Sequence, residues 1–430
     1  MAQHSGPFLN CLNTNKKEVK MVKIQSVRGT YDLYGTAKKK AKKVTSAAAE
    51  VVERYGFEEI ETPIFEFTEV FSRNLGDTSD IVTKEMYCFQ DRGGESLTLR
   101  PEGTAGVVRA FISEGMQQNL PVKLYYNGPM FRYERPQKGR QRQFTQFGVE
   151  MLGIETPQAD IEVIAMAYEF LEKLGLEGAV TVEINSLGDK ESRDAYREKL
   201  VEYLKQNYDK LSQDSKTRLE KNPLRVLDSK EECDKEVVAN APLYADSLNQ
   251  ASSEFFAQVL KGLDTLGIKY RVNNRLVRGL DYYSHTVFEL VTDKLGAQGT
   301  VLAGGRYDGL VAQMGGSDVA GIGWACGVER LSMLLEKDIE DTRPIAVIEV
   351  GEEVKETALK IAYDLRKAGF KVEHAYSGNV KKRMMKANKA NAYKAVILGS
   401  DEINAGKVTV KDLDIGTQTL VDIDNLIKEI

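Results

Sequence analysis

The sequence predicts a chain of mixed α and β structure with two kinds of fold in succession. Strand patterns with many glycine and aromatic residues lie on both sides of a strongly charged, helical stretch at about 189–262. From residue 344 onwards, strands and helices alternate at short spacing, which is typical of a small α/β domain with a largely parallel sheet. The length of 430 residues is enough for two or three globular domains.

The part before residue 344 contains elements of both types. Alanine, lysine and valine at 38–55 predict a helix that stops before Gly56. The alternation at 57–67 favours a strand, with Pro63 at an edge. The elements predicted after it are strands at 125–132 and 145–152, a helix at 160–174, a strand at 181–185, the charged helical stretch, strands between 270 and 324, and a helix from Val328.

The second part follows a predicted linker at about 338–343. Its predicted elements are a strand at 344–350, a helix at 352–367, a strand at 372–376, a helix at 380–390 and a strand at 395–399. At the other end of the chain, residues 1–20 have the composition of a polar tail that precedes a second methionine, Met21.

Composition argues against several classes of protein. The longest apolar stretch, 319–328, is far too short to span a bilayer, and no secretory signal opens the chain, so we expect no membrane partner. Four scattered cysteines without a CxxC pair, and only three histidines, indicate a reducing cytoplasm and no zinc site.

Any polyanionic partner must be held by local basic patches, because the net charge is −5. One patch, at 131–143, carries five arginines and lysines against a single acid, Glu134. A second patch lies at 380–390 and contains Lys381, Lys382, Arg383, Lys386 and Lys389 with no acid.

Phosphate chemistry, if present, must rest on arginine. The sequence has no GxxxxGK[ST] loop, and its glycine runs do not open a helix in a dinucleotide-binding pattern. A guanidinium can bind two phosphate oxygens at once and stays charged. Arg132, Arg278 and Arg330 each lie beside glycine or aromatic residues, although a single arginine near a strand is more often a surface or salt-bridge residue.

Seven motifs carry a resemblance to a known family. FRYERP at 131–136, continued by RQFTQFGVE at 142–150, resembles motif 2 of the class II aminoacyl-tRNA synthetases, and GIGWACGVER at 321–330 resembles motif 3. The helix from Lys38 with Pro63 after it resembles motif 1, the dimer-forming element. LRPEGT at 99–104, LVRGLDYY at 276–283 and AGGRYD at 303–308 are similar to motifs of the histidyl-tRNA synthetases of bacterial type, and VRGTYD at 27–32 also fits.

The resemblance implies a fold and a set of partners. The expected fold is an α+β catalytic domain at 21–335, with an antiparallel sheet flanked by helices and a helical insertion at about 189–262, followed by an α/β anticodon-binding domain at 344–430. The implied activity joins histidine to tRNA(His) with ATP, by way of histidyl-adenylate. Magnesium is expected on the outer phosphates of ATP, with no metal held by the protein alone. Motif 1 implies a homodimer.

The same resemblance assigns residues to ATP and to catalysis. Arg132 is implied to bind the α-phosphate, and Arg278 to hold that phosphate and the histidine carboxylate from the other side. Glu134 is implied to read the adenine amino group and Phe144 to stack on the base. Together the implied ATP-binding residues are Arg132, Glu134, Arg140, Phe144 and Arg330, and the implied catalytic residues are Arg132, Gln146 and Arg278.

A second implied set binds histidine. The α-amino group suits Glu102, Thr104 and Gln146, while Glu150 and Tyr283 can satisfy the two imidazole nitrogens. Two alternatives remain at this stage, because Glu102 could cap a helix and Tyr282 or Tyr307 could be packing residues. The complete set is Glu102, Gly103, Thr104, Arg132, Gln146, Glu150, Arg278, Tyr282, Tyr283 and Tyr307.

Two other classes of protein share parts of this pattern. The main alternative is a synthetase-like regulatory subunit of ATP phosphoribosyltransferase, which binds histidine without ligating it. The resemblance implies that such subunits lack the anticodon domain and lose several active-site residues, whereas both are present here. The second alternative, a synthetase-like domain that senses uncharged tRNA, would lie inside a longer chain with a kinase.

Overall fold

The computed structural model describes residues 24–73, 81–227, 229, 231–278, 282–335 and 342–430. The predicted polar tail at 1–20 and most of the predicted linker lie outside these residues. The chain divides into two compact units at Asp338/Ile339.

The first unit contains helices and strands in mixed order. Its strands are β1 (Glu58–Glu59), β2 (Phe65–Phe67), β3 (Tyr87–Gln90), β4 (Ser96–Leu99), β5 (Val122–Phe131), β6 (Gln143–Leu152), β7 (Thr181–Ser186), β8 (Tyr270–Val272), β9 (Ser284–Val291), β10 (Thr300–Arg306) and β11 (Gly321–Gly327). Its helices are α1 (Gly35–Arg54), α2 (Glu69–Ser72), α3 (Thr104–Ser113), α4 (Pro157–Lys173), α5 (Lys190–Gln206), α6 (Gln213–Lys221), α7 (Glu232–Val238), α8 (Gln250–Thr265), α9 (Leu310–Gln313) and α10 (Val328–Leu334).

One large sheet organises this unit. Among the described residues it has eight strands in the order β1-β5-β6-β11-β10-β9-β7-β8. The six central strands pair antiparallel, whereas β1 and β8 join the edges in parallel. The predicted antiparallel sheet is therefore confirmed, with two short parallel strands added at its edges. A separate small sheet has the order β2-β4-β3.

Helix α1 shows how the sequence pattern produces packing. Its buried residues recur every three or four positions, so they form one stripe that lies in the main core with α4 and the sheet. The helix ends where Gly56 adopts a φ of +80°, a conformation that favours glycine. The structure corrects the start of this helix to Gly35 and replaces the strand predicted at 57–67 by the two short strands β1 and β2.

The charged stretch forms helices α5 to α8. The first two begin at conventional caps, because the side chains of Asp189 and Ser212 accept hydrogen bonds from backbone N–H groups of the first turn. Helix α8 differs from the others, since Val259 and Leu263 are fully buried in the main core of the sheet. The last helix of the stretch, α8, therefore belongs to the helical layer that packs against the large sheet.

The second unit contains strands β12 (Ile345–Glu349), β13 (Val372–His374), β14 (Lys394–Leu398), β15 (Lys407–Asp412) and β16 (Gln418–Asp422), and helices α11 (Lys355–Lys367), α12 (Val380–Lys389), α13 (Ser400–Asn404) and α14 (Leu426–Glu429). The described strands have the order β13-β12-β14-β15-β16. The first three pair in parallel, and the last two are antiparallel. The prediction of a largely parallel sheet is thus wrong for the second half, which is a hairpin that turns at Gly416 with a φ of +79°.

Helix α12 also corrects one member of the predicted basic patch. Arg383 is only 9% exposed and donates hydrogen bonds to Glu349, whereas the lysines of this helix are exposed. Across the described residues, no helix combines the length and the apolar character needed to cross a membrane.

Candidate active site

A cavity of about 550 Å³ opens over the central strands of the large sheet. Its walls come from the start of α3, from β6 and the segment between β5 and β6, from β9 and the segment before it, and from β10, β11 and α10. The predicted site residues that line it are Glu102, Thr104, Arg132, Glu134, Arg140, Phe144, Gln146, Glu150, Arg278, Tyr282, Tyr283, Tyr307 and Arg330. The structure thus brings together residues that are up to about two hundred positions apart in the chain.

Glu150 is the most deeply buried acid in the cavity. Its carboxylate accepts hydrogen bonds from the hydroxyl of Thr104, at 2.7 Å, and from the hydroxyl of Tyr307. Burial raises the pKa of Glu150 to about 8, although these two hydrogen bonds favour the charged form. The ionised form is therefore costly without a partner, and a ligand with nitrogen donors would stabilise it.

The backbone of β11 gives this carboxylate its space. Gly323 is paired with Glu150 in the antiparallel register. A Cβ atom on Gly323 would lie 2.3 Å from Glu150 Oε2 and 2.2 Å from the carbonyl oxygen of Val149. Any larger residue would therefore displace either the carboxylate or the neighbouring strand.

Glu102 has the capping role that its position allowed. Its carboxylate accepts hydrogen bonds from the N–H groups of Thr104, at 2.7 Å, and Ala105, at 2.8 Å, at the start of α3. The side chain is 4% exposed and also lines the cavity, and burial raises its pKa. Helix capping and ligand contact are compatible at this residue, because a carboxylate can accept about four hydrogen bonds.

Gln146 is held at the cavity wall by its side-chain oxygen, which accepts hydrogen bonds from the N–H of Gly103, at 3.1 Å, and from the hydroxyl of Tyr126, at 3.3 Å. Gly103 itself is not among the lining residues. Its contribution is space, because a Cβ atom there would lie 2.2 Å from the ring of Tyr126.

Arg132, which directly follows β5, and Phe144 on β6 form a cation–π pair within motif 2. The guanidinium carbon of Arg132 lies 5.2 Å from the centre of the Phe144 ring, and its Nε donates to the carbonyl of Pro101 at 2.8 Å. Glu134 approaches two arginines, with its carboxylate oxygens 3.9 Å from Arg132 Nη1 and 2.9 Å from Arg140 Nη1.

Arg278 reaches the cavity from the segment before β9. Its guanidinium forms an ion pair with Glu289 and lies 5.6 Å from the centre of the Tyr283 ring. Arg330 is fixed by two donated hydrogen bonds, from Nε to the carbonyl of Gly139 at 2.9 Å and from Nη1 to that of Thr300 at 2.8 Å. Four arginines therefore line one cavity, a charge pattern that fits several phosphate groups.

Comparison with known proteins identifies the family. The model of the family described as histidyl-tRNA synthetase matches residues 29–331, more than half of the chain. The chain belongs to the histidyl-tRNA synthetase family. The model described as anticodon binding domain matches residues 344–430, which lie in the second compact unit.

Individual members of this family are similar over nearly the whole chain. The histidine–tRNA ligase of Rhodospirillum rubrum is 58% identical over 404 residues, covering 94% of this chain and 97% of the relative. The histidine–tRNA ligase of Gluconacetobacter diazotrophicus is 52% identical over 404 residues, covering 94% of this chain and 97% of that relative. The apo crystal structure of S. aureus histidyl-tRNA synthetase has a TM-score of 0.80 and 37% identity, covering 95% of this chain and 99% of that one.

The sequence patterns did not indicate several residues that build this site. Glu289 pairs with Arg278 and accepts from the Thr300 hydroxyl at 2.7 Å, yet it appears in the sequence as one acid in a strand. Arg100 donates to the carbonyls of Thr62, at 2.7 Å, and Pro129, at 2.9 Å, and so positions the strand that leads to Arg132. Arg100 could have been suspected, because it lies inside the LRPEGT motif.

The acid of motif 3, Glu329, has a positioning role. Both carboxylate oxygens of Glu329 accept from the backbone N–H of Thr145, at 2.9 and 3.0 Å. Burial raises the pKa of Glu329. Motif 3 is therefore hydrogen-bonded to the strand that carries Phe144 and Gln146. This one contact helps to fix the position of both lining residues.

Arg306 and Asp160 form a different kind of pair. Both side chains are fully buried, and two guanidinium nitrogens of Arg306 donate to the Asp160 carboxylate. Arg306 does not line the cavity, although it belongs to the AGGRYD motif. Arg306 instead anchors α4 to β10, beside the lining residue Tyr307.

Proposed function

We propose that this chain is a histidine–tRNA ligase that forms histidyl-adenylate from histidine and ATP and then transfers histidine to tRNA(His). The observation that carries the proposal is the meeting of two groups of side chains in one cavity. Arg132, Arg140, Arg278 and Arg330 fit a polyphosphate, and the buried Glu150 with its phenol partner Tyr307 fits an imidazole.

In the proposed first step, a carboxylate oxygen of histidine attacks the α-phosphorus of MgATP, and the bond to the leaving pyrophosphate breaks. Arg132 and Arg278 stabilise the charge that develops on the α-phosphate, and Arg140 and Arg330 bind the outer phosphates. The magnesium ion arrives and leaves with the phosphates of the substrate. Phe144 stacks on the adenine, and Glu134 accepts a hydrogen bond from the adenine amino group. The position of Phe144 beside Arg132 supports the stacking.

Recognition of histidine rests on hydrogen bonds that only this side chain satisfies. Glu150 accepts from one imidazole nitrogen and Tyr283 serves the other, while Tyr307 and Tyr282 complete the wall. Glu102, Thr104 and Gln146 bind the α-amino group. An apolar analogue would leave the buried Glu150 carboxylate without a ligand partner, which strongly disfavours it.

In the proposed second step, the terminal ribose hydroxyl of tRNA(His) attacks the carbonyl carbon of the adenylate. An ester forms, AMP leaves and the proton of the attacking hydroxyl is released with it, so neither step requires a nucleophile from the protein. The second compact unit is proposed to hold the anticodon arm. The exposed lysines of α12 support this assignment, because they can contact the phosphate backbone.

We further propose a cytoplasmic homodimer. Apolar side chains remain 43–52% exposed on and beside the small sheet β2-β4-β3, and a second copy of the chain would remove them from water. These residues are Ile64, Phe65, Phe67 and Phe89.

Pyrophosphate exchange with a panel of twenty amino acids tests the proposal. We expect exchange with histidine alone, followed by charging of tRNA(His) in a second assay. A chain that never exchanges pyrophosphate but activates an ATP phosphoribosyltransferase would instead be a regulatory subunit.

A further inference from the structure

At the base of the charged helical stretch, the N-caps of α5 and α8 are hydrogen-bonded to each other. Asp189 caps α5 by accepting from the N–H of Ser192 at 2.8 Å, and Asn249 caps α8 by accepting from the N–H of Ser252 at 2.9 Å. The caps also bind each other, because Asn249 Nδ2 donates to Asp189 Oδ2 at 2.8 Å. Each serine hydroxyl accepts from the opposite cap, with Asn249 N to Ser192 Oγ at 3.0 Å and Asp189 N to Ser252 Oγ at 3.1 Å. The first turn of α5 therefore has a defined position.

The segment that holds these two N-caps is also hydrogen-bonded to the start of β9. The N–H of His285 donates to the carbonyl of Gly188 at 2.8 Å, and the N–H of Leu187 donates to the carbonyl of His285 at 2.7 Å. Gly188 has a φ of +68°, and a Cβ atom there would lie 2.5 Å from Ser192 Cβ. Only glycine allows so close an approach, so α5 begins tightly against the segment that carries Tyr283.

Arg193 extends from this turn to the histidine-binding segment. Its Nη1 donates to the backbone carbonyl of Tyr283 at 2.6 Å. The Nε of the same guanidinium is buried without a hydrogen-bond partner among the described residues, and Arg193 as a whole is half-buried, so this charged hydrogen bond is partly shielded from bulk water.

The Tyr283 backbone in turn determines where its side chain lies. The ring lines the cavity, lies 5.6 Å from the guanidinium carbon of Arg278 and contacts Tyr282 with 4.7 Å between ring centres. A Cβ on Gly305 would lie 2.9 Å from the same ring, so the ring has little room to shift. A small displacement of the Tyr283 carbonyl would therefore change the position of the Tyr283 ring in the cavity.

We infer that Arg193 is a positioning residue for histidine binding: it holds the Tyr283 carbonyl, and the base of the charged helical stretch is thereby part of the amino-acid site. This inference rests on the proposed function, because it assumes that Tyr283 contacts histidine. It makes α5 a support for substrate recognition and gives Arg193 no contact with the reacting atoms.

The test is pyrophosphate exchange by the full-length enzyme, with KM measured separately for histidine and ATP. We expect Arg193→Ala to raise KM for histidine roughly tenfold, as for loss of a charged hydrogen bond, and KM for ATP much less. The matched control is Arg197→Ala, an exposed arginine one turn further along α5, which should behave like the wild type. Partial unfolding would lower kcat through loss of active enzyme and would leave KM unchanged, so the KM difference reports positioning.

A double-mutant cycle separates action through Tyr283 from a general effect. Arg193→Ala should raise the histidine KM less in a Tyr283→Phe background than in the wild type. Additive effects, or equal changes in KM for both substrates, would overturn the inference. Failure of the wild type to exchange pyrophosphate with histidine would overturn the proposed function instead, so the two failures are distinguishable.

Discussion

The hydroxyl of Tyr307 donates a hydrogen bond to Glu150 where the two residues are 2% and 1% exposed, respectively. One residue comes from β6 and the other follows β10, so the pair joins two distant parts of the chain at the cavity. A buried carboxylate that has a phenol partner and still faces a cavity is arranged for a ligand with hydrogen-bond donors.

The first prediction concerns recognition by Glu150. Glu150→Gln should raise KM for histidine far more than KM for ATP, because an amide is a weaker acceptor for an imidazole N–H. Steady-state pyrophosphate exchange with each substrate varied in turn gives both values. Equal increases in the two KM values would show that Glu150 supports the strand and does not read the side chain.

The second prediction concerns stability and pH. The pKa of Glu150 rises from its ordinary 4.5 to about 8 because of burial. The folded protein therefore binds more protons than the unfolded chain between these values, so ionisation of Glu150 lowers stability as pH rises through this window. Glu150→Gln removes that effect. We expect the difference in Tm between the variant and the wild type, measured without ligands, to grow in favour of the variant from pH 5 to pH 8. A difference that is constant or shrinks would contradict the high pKa.

The third prediction concerns Arg278. Arg278→Ala should slow adenylate formation by about 10²–10³-fold or more while the protein stays folded, because a charged donor to the developing phosphate charge is lost. The measurement is single-turnover formation of histidyl-adenylate, with circular dichroism as a check on folding. The control is Arg275→Ala, since Arg275 donates to the carbonyls of Ala239 and Pro242 and does not line the cavity. A normal rate in Arg278→Ala would remove this residue from catalysis.

The fourth prediction tests the space beside Glu150. Gly323→Ala should destabilise the protein by about 1–3 kcal/mol and raise KM for histidine, because the added Cβ meets a backbone carbonyl as well as the carboxylate. Gly178→Ala is the control, since a Cβ there meets nothing within 4 Å. Denaturant unfolding and exchange kinetics provide the two readouts. Wild-type behaviour of Gly323→Ala would mean that β11 can move without cost.

The fifth prediction concerns the lysines of α12. Replacing Lys381, Lys382 and Lys386 with alanine should weaken charging at subsaturating tRNA. It should also make the charging less dependent on salt: the slope of log charging efficiency against log salt concentration should fall in magnitude by up to roughly two. Pyrophosphate exchange should be unchanged, because it involves no tRNA. Arg383 is excluded from the set, since it is buried against Glu349.

Two lysines on another helix supply the control for this variant. Lys355 and Lys360 lie on α11 and form ion pairs with Glu352 and Asp364. Their replacement with alanine should leave charging near the wild-type level. If both variants lose charging equally, the effect is one of overall charge and α12 is not a specific contact surface.

The difference between Arg278 and Arg383 shows what the local sequence pattern around an arginine can and cannot predict about its role. Both are arginines among residues that suggest an anion-binding site, and the sequence pattern treats both as candidate phosphate ligands. The structure places Arg278 in the cavity beside Glu289 and buries Arg383 on Glu349. Burial and partners depend on which strands become neighbours, and charge spacing along the chain does not contain that information.

The sequence by itself determined the family, the helix that stops before Gly56, the two strands β5 and β6, and thirteen of the residues that line the cavity. These features depend on short motifs, on periodicity and on glycine's conformational freedom, all of which are local. Only the tertiary structure decided that Glu102 both caps α3 and lines the cavity, that the second sheet ends in an antiparallel hairpin, and that Arg193 reaches Tyr283 across a separation of 90 residues. The physical reason is that hydrogen-bond partners and burial are properties of packed surfaces, which form only when distant segments meet.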